Sequence, residues 1–124
     1  MHAFRTAVEA ADHEAVVATF ADDIVFHSPV AHRPFVGKDA AAGVIAAVFT
    51  ALEDFEYTDE LATGDTTALL FRARIGDKKV QGLDYIHHGP DGLIDEFTVM
   101  MRPLSAIVAM GEAMSPKVEG LAKG

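Results

Sequence analysis

Apolar and polar residues alternate with period two through the second half of the chain. Between residues 66 and 75, Leu69, Phe71, Ala73 and Ile75 share one side and Leu70, Arg72 and Arg74 the other. Between 78 and 88, Val80, Gly82, Asp84 and Ile86 face one way and Gln81, Leu83, Tyr85 and His87 the other. A third run, 93–102, sets Phe97, Val99 and Met101 against Glu96, Thr98 and Met100. Gly89-Pro90-Asp91-Gly92 lies between the last two runs and supplies a fixed φ, an Asx-type side chain and positive-φ tolerance. The stretch 81–102 therefore reads as a long β-hairpin. A further strand is expected over 55–62, ended by Gly64-Asp65.

The first half switches to helical spacing. Phe4, Ala7, Val8 and Ala11 form one stripe of a helix over 2–11. Asp12 is a good N-cap for a second helix whose stripe is Ala15, Val16 and Phe20, with Ala21-Asp22-Asp23 ending it. Residues 24–28 are β-rich and stopped by Pro29; Ile24, Phe26 and Ser28 share a face, Val25 and His27 the other. A loop over 30–37 leads to an Ala-rich helix over 38–52, with Val44, Ile45, Val48, Phe49 and Leu52 inward. Pro103 opens a short helix, 104–114, that Pro116 stops. Segregated helices and an antiparallel sheet predict the α+β class, as one domain over 1–114 with a flexible tail at 115–124. Neither sheet face is cleanly polar, so helices should cover one and a second copy of the chain the other.

The totals narrow the partners. The chain has 124 residues, half of them apolar and 23% charged, enough for one domain with a core. Ten Lys and Arg against 19 Asp and Glu leave a net charge of −9, which argues against nucleic-acid binding. With no cysteine, disulfides and thiolate metal sites drop out. No apolar run is long enough to span a membrane and no signal pattern is visible, so the default expectation is a soluble cytoplasmic protein.

Asp84 is the residue least at home in its pattern, a carboxylate in the middle of an apolar face. A buried acid needs a reason. It is either a poised acid or hydrogen-bond anchor near Phe26, Ile86, Phe97 and Val99, or a structural aspartate bonded to backbone or to a buried hydroxyl such as Ser28. Of the six histidines, His87 and His88 are adjacent on a strand and point apart, and no helical i,i+4 pair exists, so no metal is expected. His27 and His32 flank the exit of the first strand, where either could serve as a base beside Asp84. The aromatic residues divide between core and pocket wall. Phe4, Phe26, Tyr57, Phe71, Ile86, Phe97, Val99 and Met101 are the expected lining of an apolar pocket.

The element order, with Asp12-His13-Glu14-Ala15, Phe20-Ala21-Asp22-Asp23, Phe26-His27-Ser28-Pro29, Pro34-Phe35-Val36-Gly37, Gly82-Leu83-Asp84 and Asp91-Gly92-Leu93-Ile94, resembles the nuclear transport factor 2-like superfamily. That group includes ketosteroid isomerases, SnoaL-like polyketide cyclases and limonene-epoxide hydrolases. The step Arg102-Pro103-Leu104 resembles one bacterial branch of it. The resemblance covers roughly residues 1–103 and implies a cone-shaped, curved, mostly antiparallel mixed sheet wrapped around the helices, one deep pocket, and dimerisation through the outer sheet face. In the isomerases it implies an aspartate base before a proline, and an oxyanion hole made by a tyrosine on the first helix and a protonated aspartate on the penultimate strand. Here those positions hold Ser28, Phe4 and Asp84. A serine hydroxyl does not take a proton from carbon without a stronger base, so isomerase activity is not carried over.

The expected function is binding or transforming a small hydrophobic molecule, with Asp84 as anchor, Ser28 and His27 assisting, and no metal or organic cofactor. The alternative is a non-catalytic ligand-binding or dimerisation module whose pocket is filled by its own side chains.

Overall fold

The computed structural model describes residues 2–123, with side chains up to Met114. Its elements run α1 (Ala3–Glu9), α2 (His13–Ala18), β1 (Phe20–His27), β2 (Phe35–Val36), α3 (Lys38–Ala51), β3 (Glu53–Thr63), β4 (Thr66–Ile75), β5 (Lys78–His88), β6 (Ile94–Arg102) and α4 (Leu104–Lys123). The six strands form one sheet in the order β2-β1-β6-β5-β4-β3. All neighbours are antiparallel except β1 and β6, which run parallel. This is the α+β cone: a mixed, mostly antiparallel sheet with helices against its inner face.

β4 and β5 have the bounds that alternation predicts, and β6 begins one residue later than expected. Their inner faces carry Leu69, Phe71, Ala73, Val80, Asp84, Ile86, Phe97 and Val99, all buried. The hairpin turn closes as its residues dictate. Gly92 takes φ 83°, the Leu93 N–H donates to the Asp91 carboxylate at 3.0 Å, and the Gly89 N–H donates to the Leu93 carbonyl at 2.8 Å.

The first strand differs from expectation. Helical spacing assigns Phe20 to the second helix and Ala21-Asp22-Asp23 to its end; instead β1 starts at Phe20. α2 stops at Ala18 because the Thr19 hydroxyl and N–H both bond the carbonyl of Val16. Phe20, Ile24 and Phe26, at even spacing along the strand, are all fully buried, while the register against β6 shifts between Phe20 and Val25. The loop before α3 contains a two-residue strand, β2, paired to Val25 and Phe26. α4 passes Pro116, where a stop was expected at 114: proline removes one backbone hydrogen bond and bends a helix without always ending it. The expected tail at 115–124 falls outside the residues whose side chains are described.

Two aromatic groups hold the core. Phe97 packs at 5.0 Å from Phe4, 6.4 Å from Phe20 and 5.1 Å from Phe26, measured between ring centroids. On the far side Phe55 stacks on Phe71 at 4.7 Å and meets Tyr57 and Phe49 edge-on. Ala106, Met110 and Met114 of α4 are fully buried and complete the core.

Gly82 fixes the placement of the second group. The Phe71 ring lies directly over it, where a Cβ would collide with the ring, and Phe55 prevents the ring from lifting away freely. Gly82→Ala should therefore lower stability by about 1–3 kcal/mol, the usual cost of overpacking a core. Urea unfolding measures it; a variant as stable as the parent contradicts this packing.

Candidate functional site

Asp84 faces inward from the middle of β5, between Leu69 of β4 and Val99 of β6, and is 4% exposed. Its hydrogen-bond partner is Tyr57, whose hydroxyl donates to Oδ2 at 3.1 Å. Tyr57 lies on β3, opposite Phe71 on β4, so its side chain reaches across a whole strand to the acid. As a structural aspartate, Asp84 is expected to bond backbone or a buried hydroxyl such as Ser28. The hydroxyl comes from Tyr57 instead, a residue the sequence placed on the wall without this partner.

Burial dominates the electrostatics. Water is removed from the carboxyl and one hydrogen bond only partly replaces it, so desolvation pushes Asp84 up to about 7 while the Tyr57 bond pulls it down. Tyr57 is driven far above the ordinary phenol range, first by burial and then by the neighbouring Asp84 charge. It therefore remains a proton-bearing donor at any working pH. Below about pH 7 the pair offers two protons, one on the phenol and one on the acid. Above it, the phenol is committed to the carboxylate.

The rim of the site is charged. The Arg5 guanidinium stands 5.6 Å from the Tyr57 ring centroid and bonds Glu9 at 3.3 Å and Glu60 at 3.1 Å. A hollow of about 250 Å³ next to it is lined by Val8, Glu9, Phe49, Phe55, Glu56 and Tyr57. Asp84 lines none of the cavities described.

The other expected site residues are distributed unevenly. Phe26, Phe71, Ile86, Phe97 and Val99 are all buried on the sheet face Asp84 shares, Phe4 is buried on α1 against Phe97, and Met101 is half-buried on β6. Ser28 sits just past β1, its Oγ accepting the Val30 N–H at 3.2 Å. His27 alternates to the opposite sheet face from Phe26 and bonds Glu96 at 3.0 Å, so it is not brought to Asp84. His32 is exposed in the loop before β2. His87 and His88 diverge as adjacent strand residues must: His87 bonds Asp95 at 2.6 Å, while His88 meets His2 at 2.9 Å and the Gly92 carbonyl at 3.0 Å. Among the described residues no three His, Asp or Glu side chains converge as a metal site. No helix among them is long and apolar enough to cross a membrane.

Sequence reasoning missed Arg5 and the Tyr57–Asp84 bond. The i,i+4 spacing of Arg5 and Glu9 was legible, but nothing local links residue 57 to residue 84.

Three comparisons bear on this geometry. The model of the SnoaL-like domain matches residues 1–97. None of the curated proteins matches. Among solved structures, an uncharacterised protein of cystatin-like fold from Silicibacter pomeroyi DSS-3 is 29% identical, covers 99% of this chain and 90% of its own, and superposes with a TM-score of 0.90. A protein described as a steroid delta-isomerase, from Pseudomonas aeruginosa, is 33% identical over 96% of this chain and 88% of its own, with a TM-score of 0.86. An NTF-2 like protein of unknown function from Burkholderia xenovorans LB400 shares the fold at 14% identity, a TM-score of 0.69, and 80% and 77% coverage.

The raised pKa of Asp84 makes stability depend on pH with a definite sign. Between about pH 4 and 7 the folded chain keeps a proton that the unfolded chain has released, so the contribution of Asp84 falls as pH rises, and levels off above about 7. Asp84→Asn removes that dependence. From pH 5 to pH 8 the variant should gain on the parent by about 3 kcal/mol, because the parent loses stability over the roughly two units between pH 5 and 7 at about 1.36 kcal/mol each. Thermal melts at the two pH values check this; a constant difference between the proteins contradicts it.

Proposed function

We propose that this chain, which belongs to the SnoaL-like domain family, binds a small apolar molecule by one of its oxygen atoms, held between the Tyr57 hydroxyl and the Asp84 carboxyl. The observation that carries the reading is an acid at the bottom of an apolar core whose bonding partner is a phenol 3.1 Å away. With Asp84 protonated, both groups can donate. A carbonyl, an enolate or an aryl oxygen supplies what they lack, an acceptor that needs no water. The hollow beside Tyr57 is the approach from outside, and the rings of Phe49 and Phe55, the latter stacked on Phe71, supply its apolar lining.

The relative named as a steroid delta-isomerase supports an apolar ligand with an oxygen handle. It does not carry its reaction across. Ser28 stands where a carbon base is required, and its hydroxyl is occupied by the Val30 N–H. His27 is engaged with Glu96 on the other sheet face. What the geometry supports is capture and polarisation of an oxygen function, with no metal or organic cofactor. Turnover would need a base beyond these side chains.

A second reading has its own observation. Phe4, Phe26, Met110 and Met114 are fully buried, so the cone is filled by the chain itself, as a non-catalytic module would be. Methionine is the most easily displaced of core fillers, which leaves a filled cone open to a ligand. For the outer sheet face we propose a second copy of the chain, seated on Leu70, Leu83, Tyr85 and Met100; the last two are 47% and 51% exposed.

Titration with 2-naphthol, an apolar ring system with one hydroxyl, separates the readings. Saturable binding is expected. It should weaken at least tenfold in Tyr57→Phe, the ~1.4 kcal/mol of one hydrogen bond. In the parent it should also fall as pH rises through about 7, and Asp84→Asn should abolish that pH dependence. Absence of saturable binding, or binding untouched by both substitutions, favours the filled module.

A further inference from the structure

The largest hollow described, about 570 Å³, lies away from Asp84, at the end of the sheet where β4 turns into β5 and β6 leads into α4. Its lining includes Arg72, Arg74, Lys79 and Arg102, four of the ten Lys and Arg residues in a chain of net charge −9. The sheet register places them together. Arg72, Gln81 and Arg102 stand in one row across β4, β5 and β6, and Arg74 stands opposite Lys79 in the next. All five project from the face opposite Phe71, Val80 and Met101.

Like charges directly opposite on neighbouring strands destabilise a sheet. Arg74 is relieved: it bonds Asp54 at 2.8 Å, Glu53 at 2.7 Å and the Gly76 carbonyl at 2.8 Å. Asp54, the acid lining the hollow, is thereby consumed. Among the described residues Arg72, Lys79 and Arg102 have no ion-pair partner, and all three are exposed. In a strongly acidic chain, three cations without ion-pair partners and the Gln81 amide line one concavity. Two guanidiniums in a row suit an oxyanion, which each can grip with two parallel N–H donors.

We propose that this hollow binds a small, multiply charged oxyanion, the phosphate or carboxylate groups of a metabolite, held by Arg72 and Arg102 with Lys79 and Gln81 completing the ring. The site is independent of the Tyr57–Asp84 pair.

The test is thermal denaturation of the whole chain against inorganic phosphate, and separately against citrate, with ionic strength held constant by sodium chloride. The expected result is a saturable rise in Tm with one or both anions. The response in phosphate against that in citrate assigns the chemistry. The apparent affinity should fall at least tenfold in the double variant Arg72→Gln/Arg102→Gln. Arg33→Gln, an exposed loop cation outside the hollow, should leave it unchanged. Equal responses to chloride and to both anions overturn the proposal, as does a response that survives in the double variant. If sedimentation shows that the double variant loses self-association while anion affinity is unaltered, the cations serve acidic groups of a second copy and the anion site is rejected. Binding of 2-naphthol reports separately on the other site, so failure of one reading does not imply failure of the other.

Discussion

A carboxyl group taken out of water favours its neutral form, and a single hydrogen bond restores only part of what hydration gave. Asp84 is in that position, and the properties of the site follow from it. The acid is held near neutrality, the phenol of Tyr57 is locked as a donor, and small changes around them decide how many protons the pair presents. Had the chain placed a second donor on the acid, the carboxylate would be an ordinary satisfied structural group. Among the described side chains it has one.

The fold builds this situation out of sheet geometry. β5 is flanked on both sides, so the inward side chains of β4 and β6 shut Asp84 away from solvent. Gly82, two residues before it, admits the Phe71 ring, and the Phe55 stack then braces Tyr57 edge-on. Arg5, from the first helix, lies over the Tyr57 ring and is itself tied to Glu9 and Glu60, so α1 is fastened to β3 beside the site. Charges are segregated on the outer face. The basic row lies at the β4–β5 turn, apolar residues occupy the middle, and the His87–Asp95 and His27–Glu96 pairs lie toward the other end.

Much of this was legible in the sequence where the code is local. Alternation gave β4 and β5 their bounds and put Asp84 on the buried face, and Gly-Pro-Asp-Gly specified the hairpin. The resemblance to the nuclear transport factor 2-like superfamily anticipated the cone. What was not legible depends on distant pairing. Phe20 sits at helical spacing from Val16, and only its pairing with Ile94 draws it into a strand. The orientation of His27 follows from that strand's alternation, but its bond to Glu96 needs the parallel β1–β6 contact, which no local pattern encodes. The Tyr57–Asp84 bond spans two strands and 27 residues. The basic hollow was split across three strands in the sequence and became visible only through their register.

The site stands or falls with the Asp84 carboxyl being a buried, high-pKa acid whose partner is Tyr57. Carbon-detected NMR of the side-chain carboxyl, followed through a pH titration of the folded chain, measures it directly. The Asp84 resonance should titrate with a midpoint near 7 and move upward in Tyr57→Phe, which removes the one bond that stabilises the charge. A midpoint in the ordinary carboxylate range near 4, unchanged by Tyr57→Phe, would show the group to be solvated and the proposed site absent.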